Sequence, residues 1–203
     1  MTILSRNDQK GRSMVEMLGV LAIIGVLSVG GISGYSKAMA KFKLTKAQDQ
    51  LTMLLMNIRT AFATSPSYDG LSSQTAAEYN IAPNEMVAGT GNSTKLYSAF
   101  GGEVQIGTVG TAKTYFYIML TNLGKEACRS LLTSDWGADG LISISSENKA
   151  SGTAPANGSE ACSSKVPTSD GAGTWCTKDL PVSLIEAGHT CSSEQNYITW
   201  IYY

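Results

Sequence analysis

The sequence predicts an α+β fold in which one long N-terminal α-helix packs on a globular head that contains an antiparallel β-sheet. Three observations lead to this prediction. An apolar run over residues 14–32 continues into an amphipathic segment without a strong helix breaker. The second half of the chain alternates β-forming segments with short helical ones. All four cysteines lie in that second half, as Cys128, Cys162, Cys176 and Cys191.

The composition favours one head domain and argues against nucleic acid as a partner. The chain has 203 residues, a formal net charge of -1 and only 15% charged residues. Once the N-terminal segment is set aside, about 140 residues remain, which is enough for one domain with its own core. A near-neutral chain without a long Lys/Arg run lacks the basic surface that nucleic-acid binding requires.

The N-terminal segment changes character after residue 11. Residues 1–11 are polar and mildly basic, whereas residues 14–32 are apolar apart from Glu16. A helix of about nineteen residues is roughly 28 Å long, close to the hydrocarbon thickness of a bilayer. A carboxylate at the centre of a spanning helix costs about 2.5–3.5 kcal/mol. Glu16 lies near one end, where the cost is smaller, but its presence in an apolar segment still requires an explanation.

Two ordinary interpretations fit this segment on composition alone. The apolar run is typical of a signal-peptide core, followed by Ala38-Met39-Ala40 as an A-x-A cleavage site. It also fits a plain transmembrane anchor with Glu16 at the membrane interface.

Helical spacing continues beyond the apolar run. Apolar residues recur there at steps of three and four between polar ones, at Leu44, Ala47, Leu51, Leu54, Leu55, Ile58 and Phe62. Thr64-Ser65-Pro66 ends the pattern. We therefore expect one helix of about 50 residues, whose first half is apolar nearly all round and whose second half has one buried stripe.

The rest of the chain predicts the head. Residues 67–98 are expected to be rich in loops, and residues 151–173 form a Gly/Ser/Ala/Pro-rich loop. The expected strands are residues 103–107, 114–121, 141–145 and 197–202, and the expected helical segments are residues 125–132 and 181–187.

The cysteine spacing favours disulfides over a metal site. No two cysteines form a C-x-x-C pair and His189 is the single histidine, so we expect no metal and no other cofactor. An even count in a Gly/Ser-rich, exported domain indicates two disulfides and an oxidising compartment. Four cysteines allow three pairings, which the residues themselves leave open. No motif of catalytic residues is present either, so an enzyme is not expected.

The segment GRSMVEMLGVLAIIGVLSVGGISGY resembles the N-terminus of the type IV prepilins. The resemblance implies a leader, residues 1–11, that a prepilin peptidase removes by cutting after Gly11. It implies methylation of the new N-terminal residue, Arg12, and a role in filament assembly for Glu16. The implied parts of the mature chain are a membrane and filament-core helix, residues 12–40, and a globular head, residues 41–203.

FGGEVQIG, the helix KEACRSLL and a late cysteine before a final strand resemble the type IVb pilins. This resemblance implies a Cys128–Cys191 disulfide, which leaves Cys162 to pair with Cys176. It also implies a subunit that polymerises with itself into a surface pilus for adhesion, aggregation, motility or DNA transfer. Its partners would be the prepilin peptidase, an assembly ATPase, an inner-membrane platform and the inner membrane itself. The alternatives are a minor pilin, a type II secretion pseudopilin, and a signal-anchored periplasmic binding protein or adhesin.

Overall fold

The computed structural model describes residues 9–136, 140–147, 149, 152, 155, 175–177 and 182–203, with only the backbone described for residues 9–13, 92, 175 and 176. The chain divides into two compact units between Phe42 and Lys43. The predicted domain boundary at residues 40/41 lies two residues before this division.

Helix α1, Gln9–Ala61, is the long helix that the apolar spacing predicts. It begins before the expected start at residue 14 and ends two residues short of the expected end. The last turn stops where Thr64, Ser65 and Pro66 follow, since proline disfavours helical geometry in the residue before it. Among the described residues, this helix is the one that is long and apolar enough to cross a membrane.

The predicted stripe on the second half of α1 is buried in the head. Leu54 and Ile58 are fully buried, and Ala47 and Leu51 nearly so. Leu44, Leu55 and Phe62 pack against the same core. The periodic apolar residues thus fix how this half of the helix lies on the sheet.

The described strands form one antiparallel sheet in the order β1-β2-β3-β4-β7-β5-β6. They are β1 (Val87–Ala88), β2 (Lys95–Tyr97), β3 (Glu103–Val109), β4 (Tyr115–Leu123), β5 (Leu141–Glu147), β6 (Trp175–Thr177) and β7 (Asn196–Tyr202). The helices of the head are α2 (Ser73–Glu78), α3 (Lys125–Leu132) and α4 (Leu184–Thr190). The α+β class and the four predicted strands are confirmed.

The sequence prediction missed α2, β1, β2 and β6. Helix α2 is six residues long and depends on a capping box in which Ser72 and Thr75 exchange hydrogen bonds. Strands of two or three residues carry almost no periodicity, so residues 67–98 gave only turn signals. The predicted loop, residues 151–173, lies outside the described residues except for Gly152 and Pro155.

Two glycines allow β3 and its neighbours to approach closely. A Cβ on Gly102 would lie 1.8 Å from the Thr121 carbonyl oxygen, and one on Gly107 would lie 2.8 Å from the ring of Tyr117. Gly107 and Tyr117 are paired across β3 and β4. The Tyr117 ring therefore occupies the space that a side chain at residue 107 would need.

Candidate functional site

The first half of α1 exposes its apolar side chains. Within its own unit, the large apolar residues from Met14 to Ile32 are between half and three-quarters exposed; for example, Ile24 is 52% exposed and Val26 is 76% exposed. Apart from the helix's own backbone, no described atom lies within 4 Å of a Cβ added at the glycines of this segment, Gly19, Gly25, Gly30, Gly31 and Gly34. A continuous exposed apolar surface of this kind marks a membrane or protein contact.

Glu16 lies on this apolar segment and is exposed. The sequence contains no other acidic residue between Asp8 and Asp49. Its carboxylate is therefore the single negative charge of the segment, and any apolar surrounding would have to supply a partner for it.

Gly11 and Arg12, the expected cleavage position, lie in the first turns of α1, which continues through them without a break. The Arg12 side chain is outside the described part of the chain. The cleavage after Gly11 and the methylation of Arg12 remain predictions.

One predicted disulfide is present in the head. Cys128 of α3 bonds to Cys191, which caps α4, with 63 residues of sequence separation and a Cα–Cα distance of 5.8 Å. Both cysteines are fully buried. The bond joins α3 to the C-terminal end of α4, which directly precedes β7 in the sequence. The expected Cys162–Cys176 bond lies outside the described residues, because Cys162 is not described and Cys176 is described by its backbone alone.

Gln50 is a site that the sequence reasoning missed, because it was counted among the polar residues between the stripe positions. It is 3% exposed. Its side-chain oxygen accepts a hydrogen bond from the Ala99 backbone N–H at 3.0 Å, and its side-chain nitrogen donates to Glu85 at 2.7 Å. Lys46, one turn earlier, pairs with the same Glu85 at 3.1 Å. The hydrogen bond from Gln50 and the charge of Lys46 lower the pKa of Glu85. This network fastens α1 to two segments, the one before β1 through Glu85 and the connection between β2 and β3 through Ala99.

The described side chains of the head form no metal-binding group. No three His, Cys, Asp or Glu side chains lie close enough to share a metal ion there. A cleft of about 490 Å³ lies between α1 and the sheet, and its lining is mainly apolar and aromatic, including Leu51, Trp136 and Trp200. Asp135 and Tyr202 are its ionisable lining residues, and burial raises the pKa of Tyr202 far above its usual range.

Comparison with known proteins places the head in a family. The family described as PilS N terminal matches residues 42–202. The major structural subunit of the bundle-forming pilus of Escherichia coli O111:H- is 29% identical over 150 residues, which cover 72% of this chain and 77% of that protein. Its counterpart in Escherichia coli O127:H6 is 28% identical with the same coverage.

Two solved structures share the fold. The type IVb pilin of Salmonella typhi superposes with a TM-score of 0.50 at 17% identity, covering 79% of this chain and 97% of that structure. TcpA, a type IV pilin of the Vibrio cholerae El Tor biotype, superposes with a TM-score of 0.51 at 15% identity, covering 79% and 99%. The matched family spans most of the chain, and both structures have the same architecture of helix and sheet. The chain therefore belongs to the PilS N-terminal family of pilins and has the type IVb pilin fold.

Proposed function

We propose that this protein is the structural subunit of a type IVb pilus. The observation that carries the proposal is the junction of an exposed apolar helix segment, residues 14–32, with a pilin-fold head. The E. coli relatives, whose similarity covers 72% of this chain, are named major structural subunits of a pilus. A head that buries its own core and a helix half that buries nothing suit a subunit that polymerises through the helix.

Before assembly, the apolar segment anchors the subunit in the inner membrane. The prepilin peptidase cuts after Gly11, methylates the amine of Arg12 and leaves the segment attached. An assembly ATPase and an inner-membrane platform then move the subunit into the filament, and the pilus extends outside the cell. Bundled helices would replace lipid contacts with contacts between neighbouring subunits, where the glycines permit close approach.

Glu16 sets the axial register in this mechanism. In the apolar core of a filament its carboxylate needs a positively charged partner. The cut after Gly11 creates such a partner, the α-amine of Arg12 on a neighbouring subunit. An incoming subunit is therefore held where its N-terminus meets a Glu16 already in place.

The first test is the N-terminus of the mature chain. Mass spectrometry of protein from the producing cell should find Arg12 as the first residue, with a methyl group on its amine. A chain that starts at Lys41 would establish signal-peptidase cleavage after Ala40 and would remove the proposed filament core.

The second test replaces Glu16. Glu16→Val removes a charge from an apolar segment, so membrane insertion, cleavage and folding of the head should persist while sheared filaments are lost. Glu78→Val, which removes an exposed acid of the head, is the matched control and should leave filaments. Wild-type filament yield from Glu16→Val at equal subunit level would contradict the mechanism. Filaments composed mainly of this chain distinguish a major from a minor pilin.

A further inference from the structure

Two lysines follow the apolar segment on the same helix. Lys37 and Lys41 are both exposed and stand four residues apart, so they lie on the same face of α1. Two exposed aromatic residues flank them, Tyr35 at 68% and Phe42 at 61%. An amphipathic aromatic ring beside a lysine is the usual arrangement where a helix leaves the hydrocarbon of a bilayer.

The length of the helix puts these residues at a membrane surface. From Met14 to Tyr35 an α-helix rises about 32 Å, and the hydrocarbon core of a bilayer is about 30 Å thick. With Met14 at one boundary, Tyr35 and Lys37 reach the opposite headgroup layer, and Lys41 lies one turn farther out. Both ammonium groups are then within about 10 Å of the lipid phosphates, which is about one Debye length.

The local charge is unbalanced. The sequence has no acid between Glu16 and Asp49, whereas Lys37, Lys41, Lys43 and Lys46 occur in that interval. Like charges four residues apart on a helix repel each other, so bound anions would stabilise the Lys37–Lys41 face.

Membrane insertion makes the position of these lysines costly. In the proposed topology the head is translocated, and basic residues close to a spanning helix favour the opposite, cytoplasmic side. Only Arg6, Lys10 and Arg12 precede the span. Lysines kept on the unfavourable side need an interaction there that offsets this cost.

We propose that Lys37 and Lys41 bind the phosphates of anionic phospholipid headgroups in the leaflet that faces the head. The inference rests on the proposed membrane anchoring of the subunit. The lysine stems run along the apolar boundary while the ammonium groups reach the phosphates, and Tyr35 lies at the interface next to them. An anionic lipid fits better than a nucleic acid, because the lysines adjoin an apolar segment of bilayer length.

The test is native mass spectrometry of the full chain, delipidated in detergent and titrated with phosphatidylglycerol or with phosphatidylcholine of the same acyl chains. The wild type should bind phosphatidylglycerol about 25-fold more tightly than phosphatidylcholine, which corresponds to roughly fivefold for each lysine. The preference should disappear in Lys37→Gln/Lys41→Gln, in which helix propensity is retained. It should persist in Lys37→Arg/Lys41→Arg, in which the charge is retained.

A second pair of lysines controls for net charge. Lys95→Gln/Lys113→Gln removes two positive charges from the head and should leave the preference unchanged. Equal affinity of the wild type for the two lipids would overturn the proposal. So would an equal loss of the preference for phosphatidylglycerol in both glutamine variants. The measurement uses unpolymerised chains, so such a result would leave the pilus proposal standing. Conversely, a Glu16 test that contradicted the pilus proposal would not alter the ratio of the two lipid affinities.

Discussion

The two halves of α1 both contain leucines, but these leucines have opposite surroundings. In the first half Leu21 is 61% exposed and Leu27 is 68% exposed, whereas Leu51 and Leu54 in the second half are 5% and 0% exposed. The second half has polar residues at regular intervals, and the first has almost none before Ser36. One helix thus contains a half that the chain covers and a half that only another surface can cover.

This difference predicts that the second half of α1 determines the stability of the head, whereas the first half determines assembly. Burial of the second half stabilises the head, so changes there should alter the free energy of unfolding. The described core of the head contains no residue before Leu44, so changes in the first half should alter membrane insertion and polymerisation. The predictions that follow test this separation.

Removing the first half should have the largest effect. A fragment that starts at Lys41 loses the exposed apolar surface and keeps the buried stripe, so it should be soluble and folded without detergent, while the full chain aggregates. Circular dichroism and size-exclusion chromatography check this. An aggregated fragment with intact disulfides would show that the head depends on the first half.

Removing the Cys128–Cys191 disulfide should have the next largest effect, on the stability of the head, because both cysteines belong to the head. Cys128→Ala/Cys191→Ala should lower the free energy of unfolding of that fragment by about 4 kcal/mol, as expected for a closed loop of this length. Urea unfolding without reductant measures it. Cys162→Ala/Cys176→Ala removes the expected bond that closes a shorter loop and should cost about 3 kcal/mol. A larger loss from the second pair would contradict the expected ranking.

A pair of leucines compares the two halves of α1 directly. Leu54→Ala creates a cavity in the core and should cost about 3 kcal/mol, within the usual range for buried leucines. Leu21→Ala in the full chain should leave unfolding of the head unchanged, since its side chain is exposed. Urea unfolding in detergent, followed by tryptophan fluorescence, measures both. Equal effects would mean that the halves are not independent.

Gln50 tests the polar attachment of α1 to the head. Gln50→Leu leaves the Ala99 N–H and one Glu85 oxygen without their partner and should cost about 2 kcal/mol. Thr52→Ala is the control, because the Thr52 hydroxyl bonds only to its own helix at Gln48. If the two variants unfold at the same urea concentration, the buried network contributes nothing.

The smallest effect concerns pH. Glu85 is hydrogen-bonded by Gln50 and paired with Lys46, so its folded pKa lies below the unfolded value of 4.5. Its contribution is fully present above pH 4.5 and is lost as the pH falls through the folded pKa. Glu85→Gln should therefore be less stable than the wild type at pH 7 and should approach it at pH 3. Urea unfolding at pH 7 and pH 3 measures this. If the stability difference between Glu85→Gln and the wild type is the same at pH 7 and pH 3, ionised Glu85 does not contribute as proposed.

The sequence predicted what long-range periodicity encodes. The buried stripe from Leu44 to Phe62 repeats at helical spacing over many residues, and residues 114–121 are a continuous run of β-forming residues, so each remained recognisable without its partners. The Cys128–Cys191 bond was predicted from resemblance, because three pairings were equally compatible with the residues.

The features that were missed depend on tertiary contacts. Strands β1 and β2 are two and three residues long, and they exist because each pairs with a neighbour. Gln50 looked like a surface residue, because a buried glutamine is recognisable only when Ala99 and Glu85 are placed against it. Gln50 does lie between Ala47 and Leu54, three and four residues away, and this position within the apolar stripe was the available signal.

The place of β7 in the sheet has a consequence for biosynthesis. Strand β7 lies between β4 and β5, and among the described strands it alone joins β4 to β5. We therefore expect the sheet to close only after residues 196–202 have been synthesised. A stop codon before residue 196 would leave the facing edges of β4 and β5 unpaired. Such truncated chains should be substrates for proteolysis, so the position of β7 restricts assembly to subunits that contain this strand.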